Sequence, residues 1–331
     1  MTTTQWQQEW QSAITDPAML IKHLGLDQAL LEPARAAAKL FPLRVPPAYL
    51  ARIKKADPAD PLLQQVLPLG IETLPSTGFT ADPVGDNASL HNGGVIHKYT
   101  GRALLITTGA CAINCRYCFR RHFPYAQSNA STRQWQQALD YLRNNPSIHE
   151  VLLSGGDPLS LNDRRLSELA NKLATLPQVR RLRIHTRLPI VIPSRITDEL
   201  IGWLTNHPFK PVMVIHANHP NELDDPVANA MQRLTEAGIP LYNQSVLLRG
   251  INDNADTLAA LSERLFELNI QPYYLHLLDR VQGAAHFDLP EQEAHRLMQR
   301  LAAQVPGYLL PRLVREVAGA PWKVPVVWWE A

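Results

Sequence analysis

The sequence predicts an α/β protein whose main body is a partial (β/α)6 barrel. From about residue 100 onward, short β-rich runs alternate with longer helical patterns, which is typical of repeated βα units around a parallel sheet. Six such units follow one another, fewer than the eight of a closed barrel. The first 95 residues have a different pattern and predict a helical and extended segment that wraps the barrel.

The N-terminal region divides into two parts. Residues 1 to about 40 place apolar side chains at helical spacing, for example in the run from Pro17 to Ile21. Many prolines then interrupt this pattern between Pro42 and Pro83, and they predict an extended stretch over the surface of the following domain. We therefore expect an N-terminal wrapping region over 1–95 and a barrel domain over 96–331.

The barrel domain is expected to be an incomplete, TIM-like barrel with functional residues at the C-terminal ends of its strands. The predicted strands are Arg102–Thr107, Glu150–Ser154, Arg181–Thr186, Val212–His216, Leu241–Leu247 and Gln271–His276. The predicted helices lie near 132–144, 163–175, 196–206, 223–236, 255–268 and 291–303.

The composition predicts a globular protein and argues against several other classes. Its 45% of hydrophobic and 19% of charged residues suffice for a sizeable core. A formal net charge of +2 creates no overall field that would attract nucleic acid or an anionic membrane. No apolar run approaches the ~18 residues of a membrane span, and the N-terminus lacks a signal-peptide pattern. We expect a cytoplasmic protein with no nucleic-acid or membrane partner.

All three cysteines lie close together, directly after the first predicted barrel strand. Cys111, Cys115 and Cys118 form a C-x3-C-x2-C pattern, which cannot build a disulfide framework and indicates metal ligation or catalysis. Three thiolates are one short of the four that normally hold a cubane iron–sulfur cluster, so one iron would be left open. A zinc site completed by His122, or three buried inert thiols, are the alternatives at this point.

This cysteine loop resembles that of the radical S-adenosylmethionine (SAM) superfamily, in its spacing, in its place after the first strand and in the aromatic Tyr117. The resemblance implies a radical SAM barrel with a [4Fe–4S] cluster whose open iron binds SAM. An unidentified electron donor would reduce this cluster, and the reduced cluster would cleave SAM to give a 5′-deoxyadenosyl radical. The resemblance also implies that His216 lies near the nucleotide. The segment that matches the glycine-rich contact to the methionine part of SAM consists of Ser154, Gly155, Gly156 and Asp157.

Lys323 differs from the other lysines in its sequence surroundings. It lies in an apolar stretch that would desolvate an amine and make it nucleophilic toward an aldehyde. The alternative is a lysine that extends its amine to solvent from a packed C-terminal strand.

The region from about Pro42 to Pro325 is similar to the lysine 2,3-aminomutases, which combine the cluster with pyridoxal phosphate. Matching segments include Leu153–Asp157, His219–Glu222 and Asn243–Gly250. The resemblance implies that Lys323 carries the pyridoxal phosphate. It assigns further contacts to this cofactor to Arg102, Gln244 and His276, the last of which stands where a tyrosine usually faces the pyridoxal ring.

The resemblance also assigns three residues to the substrate. Arg120 is expected to bind its carboxylate, and Asp279 and Glu316 to bind the distant ammonium of L-lysine. Two negative charges in a closed pocket favour a cationic side chain and would reject glutamate, which disfavours the glutamate-specific relatives. Glu316 stands where the family commonly has aspartate, and the glycine run before Lys323 is shorter here than in the family.

The sequence resembles one subgroup in particular, the short elongation factor P β-lysylation proteins. Asn254 occupies the place of a zinc-binding cysteine of the longer relatives, and no zinc-binding extension is expected. This resemblance implies formation of (R)-β-lysine, which a separate ligase attaches to elongation factor P. Two alternatives stay open: the same chemistry on ornithine or peptide-bound lysine, and a non-enzymatic iron–sulfur protein for electron transfer or redox sensing.

Overall fold

The computed structural model describes residues 3–125 and 132–329, and its centre is one ten-stranded sheet in which strands follow one another in chain order. The strands are β1 (Leu90–His91), β2 (Val95–Tyr99), β3 (Arg102–Thr108), β4 (Glu150–Gly155), β5 (Arg181–Thr186), β6 (Lys210–Ile215), β7 (Leu241–Val246), β8 (Ile270–His276), β9 (Arg312–Arg315) and β10 (Val324–Pro325). The helices are α1 (Gln5–Gln11), α2 (Pro17–Leu24), α3 (Leu31–Ala38), α4 (Pro47–Leu50), α5 (Pro61–Gln64), α6 (Thr132–Arg143), α7 (Asp163–Ala174), α8 (Leu188–Val191), α9 (Asp198–Thr205), α10 (Asp225–Glu236), α11 (Ala255–Glu267) and α12 (Glu291–Gln304).

The strands β3 to β9 pair in parallel, whereas β1, β2 and β10 add antiparallel pairs at the two edges. Because the order ends on β1 and β10, the barrel is open. The predicted partial barrel is therefore confirmed, and its six strands correspond to β3 to β8. The sequence did not predict β9, a strand of four residues whose buried side chains do not alternate with exposed ones.

Alternation along the barrel strands separates a helix-facing set of side chains from a cavity-facing set. In β4, Val151 and Leu153 are buried in the hydrophobic core. Glu150, Leu152 and Ser154 alternate with them and line a cavity inside the barrel. Successive side chains of a strand point to opposite faces, so each strand supplies both the core and the cavity wall.

The proline-rich N-terminal segment differs from the extended surface wrap that the sequence predicted. Two of its prolines begin short helices, α4 and α5, because proline fits the first helical position, where no backbone N–H is needed. Tyr49, Leu62 and Gln65 have no exposed side-chain surface, and the first two belong to the same core as the barrel. The segment thus contributes to the interior, and the domain boundary near residue 95 stays a prediction.

Each main barrel helix buries an apolar stripe against the sheet. In α7, the side chain of Asn162 caps the N-terminus by accepting from the backbone N–H of Arg165, and Leu166, Leu169 and Leu173 are buried at helical spacing. Of the helices in the described ranges, none combines the length and the apolar character that crossing a bilayer requires.

Candidate active site

A cavity of about 550 Å³ lies inside the barrel, and every residue that the sequence assigned to the site lines it. Those residues are Arg102, Cys111, Cys115, Tyr117, Cys118, Arg120, Ser154, Gly155, Gly156, Asp157, His216, Gln244, His276, Asp279, Glu316 and Lys323. Arg102 is the first residue of β3, so the cavity extends beyond the C-terminal ends of the strands, where the sequence placed the site. The individual roles of these residues stay predictions.

The cysteine loop begins after β3 and is locally ordered by a turn in which the Cys118 N–H donates to the Cys115 carbonyl at 2.9 Å. Backbone N–H groups of Asp157 and Arg120 face the sulfurs of Cys111 and Cys118, respectively. Burial raises the pKa of the Cys118 thiol to about 11 and that of Cys111 well above its ordinary value. Ligation must therefore displace protons from these two thiols.

The three cysteines do not form a site for a single metal ion among the described residues. Within 3–125 and 132–329, no three His, Cys, Asp or Glu side chains converge on a point that could hold a single metal ion. A cubane cluster needs no such point, because each cysteine binds a different iron. His122, which the zinc alternative required as a fourth ligand, is exposed and its Nε2 lies 3.2 Å from the Gln282 carbonyl oxygen.

Two glycines allow the end of β4 to lie directly against the entrance of the cysteine loop. Gly155 has a φ of +111°, which L side chains rarely adopt. A Cβ on Gly156 would lie 2.5 Å from the carbonyl oxygen of Ala110. This close approach allows two backbone hydrogen bonds. The Gly156 N–H donates to the Thr108 carbonyl at 2.7 Å, and the Asp157 N–H donates to the Ala110 carbonyl at 2.9 Å. The Ser-Gly-Gly-Asp turn thus fixes the loop that carries the cysteines.

The side chain of Asp157 is fully engaged in holding the end of β5. It accepts from the Thr186 hydroxyl at 2.6 Å and from the backbone N–H groups of Arg187 and Leu188 at 2.8 and 2.9 Å. A contact of this turn to SAM through backbone groups stays a prediction.

Tyr117 and His216 form an aromatic pair behind the cysteine loop. Their rings stack with centroids 5.6 Å apart, and the Tyr117 hydroxyl lies 3.0 Å from His216 Nε2. Burial lowers the pKa of His216 to about 3, so its ring is neutral at physiological pH. This pair gives the cavity an uncharged, hydrogen-bonding wall.

Arg187 is a site residue that the sequence did not predict. It directly follows β5, and its Nη1 lies 2.7 Å from the sulfur of Cys115. The same guanidinium pairs with the buried carboxylate of Glu222 at 2.7 Å. The one available signal was its place at the C-terminal end of a barrel strand, where functional residues are expected.

Lys323 lies beside a carboxylate and not in the apolar surroundings that the sequence predicted. Its Nζ contacts Glu316 Oε2 at 2.7 Å, whereas the neighbouring Trp322 is 59% exposed. The cause is the antiparallel pairing of β9 with β10, in which Val324 faces Arg315 and brings the two adjoining residues together. The expectation of purely apolar surroundings is therefore wrong, although the lysine does line the cavity.

Further charges continue this pair into a row across the cavity. Glu316 accepts from the Tyr99 hydroxyl at 2.5 Å and lies 3.6 Å from Lys98 Nζ. Lys98 contacts Asp86 at 2.6 Å, and Asp86 contacts Arg120 Nε at 2.7 Å. We call this set of contacting side chains, in which positive and negative charges alternate in space, the charge row. It consists of Arg120, Asp86, Lys98, Glu316 and Lys323.

Asp279 lies apart from the charge row. Its carboxylate makes no hydrogen bond or ion pair with another residue of the described chain. Burial raises its pKa to about 7, and the charge of Lys323 partly opposes this shift while that of Glu316 adds to it. The cavity therefore contains a carboxyl group that titrates near neutral pH and has no direct ion-pair partner among the described residues.

The residues predicted to hold pyridoxal phosphate fit a flat, anionic group. The guanidinium of Arg102 lies 4.6 Å from the ring centre of Tyr99. Gln244 pairs in register with Tyr274, whose ring meets that of His276 edge-on. His276 Nε2 is buried without a hydrogen-bond partner among the described residues, and a buried polar atom at a cavity wall is expected to meet a ligand.

An open parallel barrel with a three-cysteine loop after its first parallel strand defines the class of radical SAM enzymes. A family model described as the Radical SAM superfamily matches residues 105–261. L-lysine 2,3-aminomutase from Escherichia coli (strain K12) is 47% identical over 322 residues, which are 97% of this chain and 94% of that protein. The enzyme of that name from Haemophilus influenzae is 47% identical over 96% of this chain and 95% of its own length. The chain belongs to the lysine 2,3-aminomutase family.

Family membership settles whether the protein is an enzyme. The protein is an enzyme, a radical SAM isomerase that uses a [4Fe–4S] cluster and SAM. A non-enzymatic electron-transfer or sensing protein is therefore not supported. Among solved structures, a radical SAM methyltransferase from Sphaerobacter thermophilus is 18% identical with a TM-score of 0.47, and the match covers 67% of this chain and 68% of that one.

Proposed function

We propose that this protein converts L-lysine to β-lysine by moving the amino group from C2 to C3, with pyridoxal phosphate as a further cofactor. The observation that carries the proposal is that groups for both ends of lysine line one cavity with the cysteines. Arg120 is a cation suited to the carboxylate, and Asp279 and Glu316 are anions suited to the distant ammonium. The relatives named L-lysine 2,3-aminomutase support the same substrate.

When bound, the cluster and SAM supply a carbon-centred radical, and pyridoxal phosphate supplies a carbonyl carbon for the migrating nitrogen. Lys323 would provide the amine that holds pyridoxal phosphate. Glu316, whose Oε2 lies 2.7 Å from the Lys323 amine, would bind the ammonium of the substrate. Arg102, Gln244 and His276, which line the same cavity, would hold the cofactor in place.

Arg120 orients the substrate carboxylate. Its Nε is held by Asp86 at 2.7 Å and its Nη1 donates to the Ser154 hydroxyl at 3.2 Å, so the guanidinium is fixed before the substrate arrives. Such fixation matters because a small displacement of the reacting carbon from the radical source is costly for rate.

The finer details of the product rest on resemblance. We propose that the product is (R)-β-lysine and that a separate ligase attaches it to elongation factor P. Resemblance to the β-lysylation subgroup supports this part of the proposal, together with near full-length coverage of the relatives that are 47% identical. A ligase assay with the purified product and elongation factor P tests it, and rejection of the product would refute it.

The substrate is tested by anaerobic reconstitution with iron, sulfide, pyridoxal phosphate, SAM and dithionite. L-lysine, L-ornithine and a lysine-containing peptide are offered separately, and products are separated by chiral chromatography. We expect β-lysine from L-lysine only. Turnover of ornithine or of the peptide, without β-lysine, would overturn the proposal in favour of that substrate.

Lys323→Ala tests the predicted cofactor attachment directly. Borohydride reduction followed by peptide mass spectrometry should find pyridoxal phosphate on Lys323 of the unchanged protein, and the variant should lose both this adduct and product formation. Lys54→Ala is the matched control, because Lys54 is a surface lysine with a 74% exposed side chain. Attachment at another lysine would contradict the assignment.

A further inference from the structure

We propose that Arg187 is a positioning residue of the iron–sulfur cluster, which raises the cluster's reduction potential through its contact with Cys115, and that Glu222 limits this effect. The proposal concerns reduction of the cluster, a step that comes before any chemistry on the amino acid. It therefore does not depend on which substrate the enzyme uses.

The guanidinium of Arg187 lies between the cysteine loop and the barrel interior. Its Nη1 is 2.7 Å from Cys115 Sγ and 2.7 Å from the Tyr117 hydroxyl oxygen. Its Nη2 donates to Gln65 Oε1 and to Glu222 Oε2, both at 2.7 Å. The side chain is only 7% exposed, so solvent screens its charge little.

Several contacts keep this guanidinium in place. Asp157 accepts from its backbone N–H at 2.8 Å. Glu222 is completely buried, and its second oxygen accepts from the Asn218 backbone N–H at 2.8 Å and from Gln65 Nε2 at 3.2 Å. The carboxylate is thus fixed from both sides, and Arg187 cannot turn away without leaving a buried charge unpaired.

The effect on the cluster follows from charge. Reduction adds one electron from an external donor, dithionite in the test below, and changes the cluster from [4Fe–4S]2+ to [4Fe–4S]1+. A nearby cation and an N–H donor at a ligating sulfur stabilise the more negative, reduced state, and cluster potentials respond to net charge and to hydrogen bonds at the sulfurs. The carboxylate of Glu222 acts in the opposite direction, at greater distance from the cysteine.

Two substitutions should therefore shift the potential in opposite directions. Arg187→Met removes the cation and the N–H donor, and the midpoint potential should fall. Glu222→Gln removes the anion while keeping the shape of the side chain, and the midpoint potential should rise. A purely structural role for the network would not produce shifts of opposite sign.

A matched control is available in a second buried arginine. Arg195 has no exposed side-chain surface and pairs with Asp163 at 2.8 Å, but it contacts no cysteine. Arg195→Met should destabilise the protein without moving the potential. It separates the electrical effect from the general loss of a buried ion pair.

The experiment is a dithionite titration of the reconstituted full-length protein and the three variants, followed by electron paramagnetic resonance at equal iron and sulfide content. A lower potential for Arg187→Met, a higher one for Glu222→Gln and an unchanged one for Arg195→Met support the proposal. Unchanged potentials in both test variants, shifts of the same sign, or a comparable shift in Arg195→Met would overturn it. If Arg187→Met does not retain its iron, the Glu222→Gln result decides: an upward shift supports the proposal and no shift overturns it.

Discussion

In the cavity, oppositely charged side chains contact one another. Every member of the charge row contacts at least one opposite charge, from Arg120 and Asp86 at one end to Lys323 and Glu316 at the other. Asp279 is the exception among the acidic residues assigned to the substrate, since no cationic side chain of the described residues contacts its carboxylate. Burial raises its pKa to about 7. A cationic substrate would supply the charge that this carboxylate lacks.

Binding of L-lysine should consequently depend on pH between 6 and 8. The pKa of Asp279 is raised to about 7, so the group becomes neutral as the pH falls below that value and can no longer attract an ammonium. A ligand that requires the ionised form should bind about tenfold less tightly at pH 6 than at pH 8. Measurement of KM for L-lysine across this range checks the prediction.

Asp279→Asn provides the comparison for that measurement. The variant should bind L-lysine weakly at pH 8 and should lose most of the pH dependence, because it has no carboxyl group to titrate. An unaltered pH profile in the variant would assign the dependence to another group.

At the scale of secondary-structure elements, the junction between β4 and the cysteine loop is the tightest part of the site. The turn after β4 approaches the loop so closely that only glycine fits at position 156. The cysteines are thereby fixed through the backbone of a neighbouring strand, in addition to their own loop.

Gly156→Ala should weaken this junction. The added methyl group would lie 2.5 Å from a backbone oxygen, so the loop has to shift. We expect a loss of roughly 1–3 kcal/mol in the free energy of unfolding, and less iron bound per chain. Thermal unfolding and iron analysis after reconstitution measure both effects.

Gly202→Ala is the control, since Gly202 lies within α9 and nothing stands within 4 Å of the added carbon. Alanine favours the helix by roughly 0.5–1 kcal/mol over glycine, so this variant should be at least as stable as the unchanged protein. Equal losses in the two variants would contradict the close-approach argument.

At the scale of the whole molecule, the N-terminal segment and the barrel share one interior. Leu62 belongs to the same hydrophobic core as Leu153 of β4, and Gln65 contacts Arg187 inside the barrel. Removal of side chains from the segment should therefore destabilise the entire protein.

Leu62→Ala tests this coupling. Leu62 is completely buried, and such a truncation costs about 2–5 kcal/mol. Urea unfolding followed by circular dichroism and tryptophan fluorescence should show coincident transitions shifted to lower urea. Leu40→Ala, at a side chain that is 57% exposed, should change the stability by less than about 0.5 kcal/mol. An early, separate transition of the N-terminal segment would contradict a shared interior.

The sequence predicted those parts of the site that depend on local patterns. The cysteine spacing predicted the loop, and the alternation of β-rich runs with helical patterns predicted the six principal strands. Arg187 was missed because its partners lie far along the chain, 122 positions away for Gln65 and 35 for Glu222. The apolar surroundings predicted for Lys323 were wrong because pairing of β9 with β10 brings Glu316 to its amine.

The open edge of the barrel acquires a meaning from the charge row. Lys98 and Tyr99 belong to β2 near one edge of the sheet, whereas Glu316 follows β9 near the other. Their contacts, at 3.6 and 2.5 Å, bridge the gap where a closed barrel would have backbone hydrogen bonds. Side chains can exchange partners without disturbing the backbone pairing of the sheet. We therefore expect a cationic substrate to replace one of these contacts with its own contact to Glu316, so that the bound substrate itself helps to connect the two edges of the open barrel.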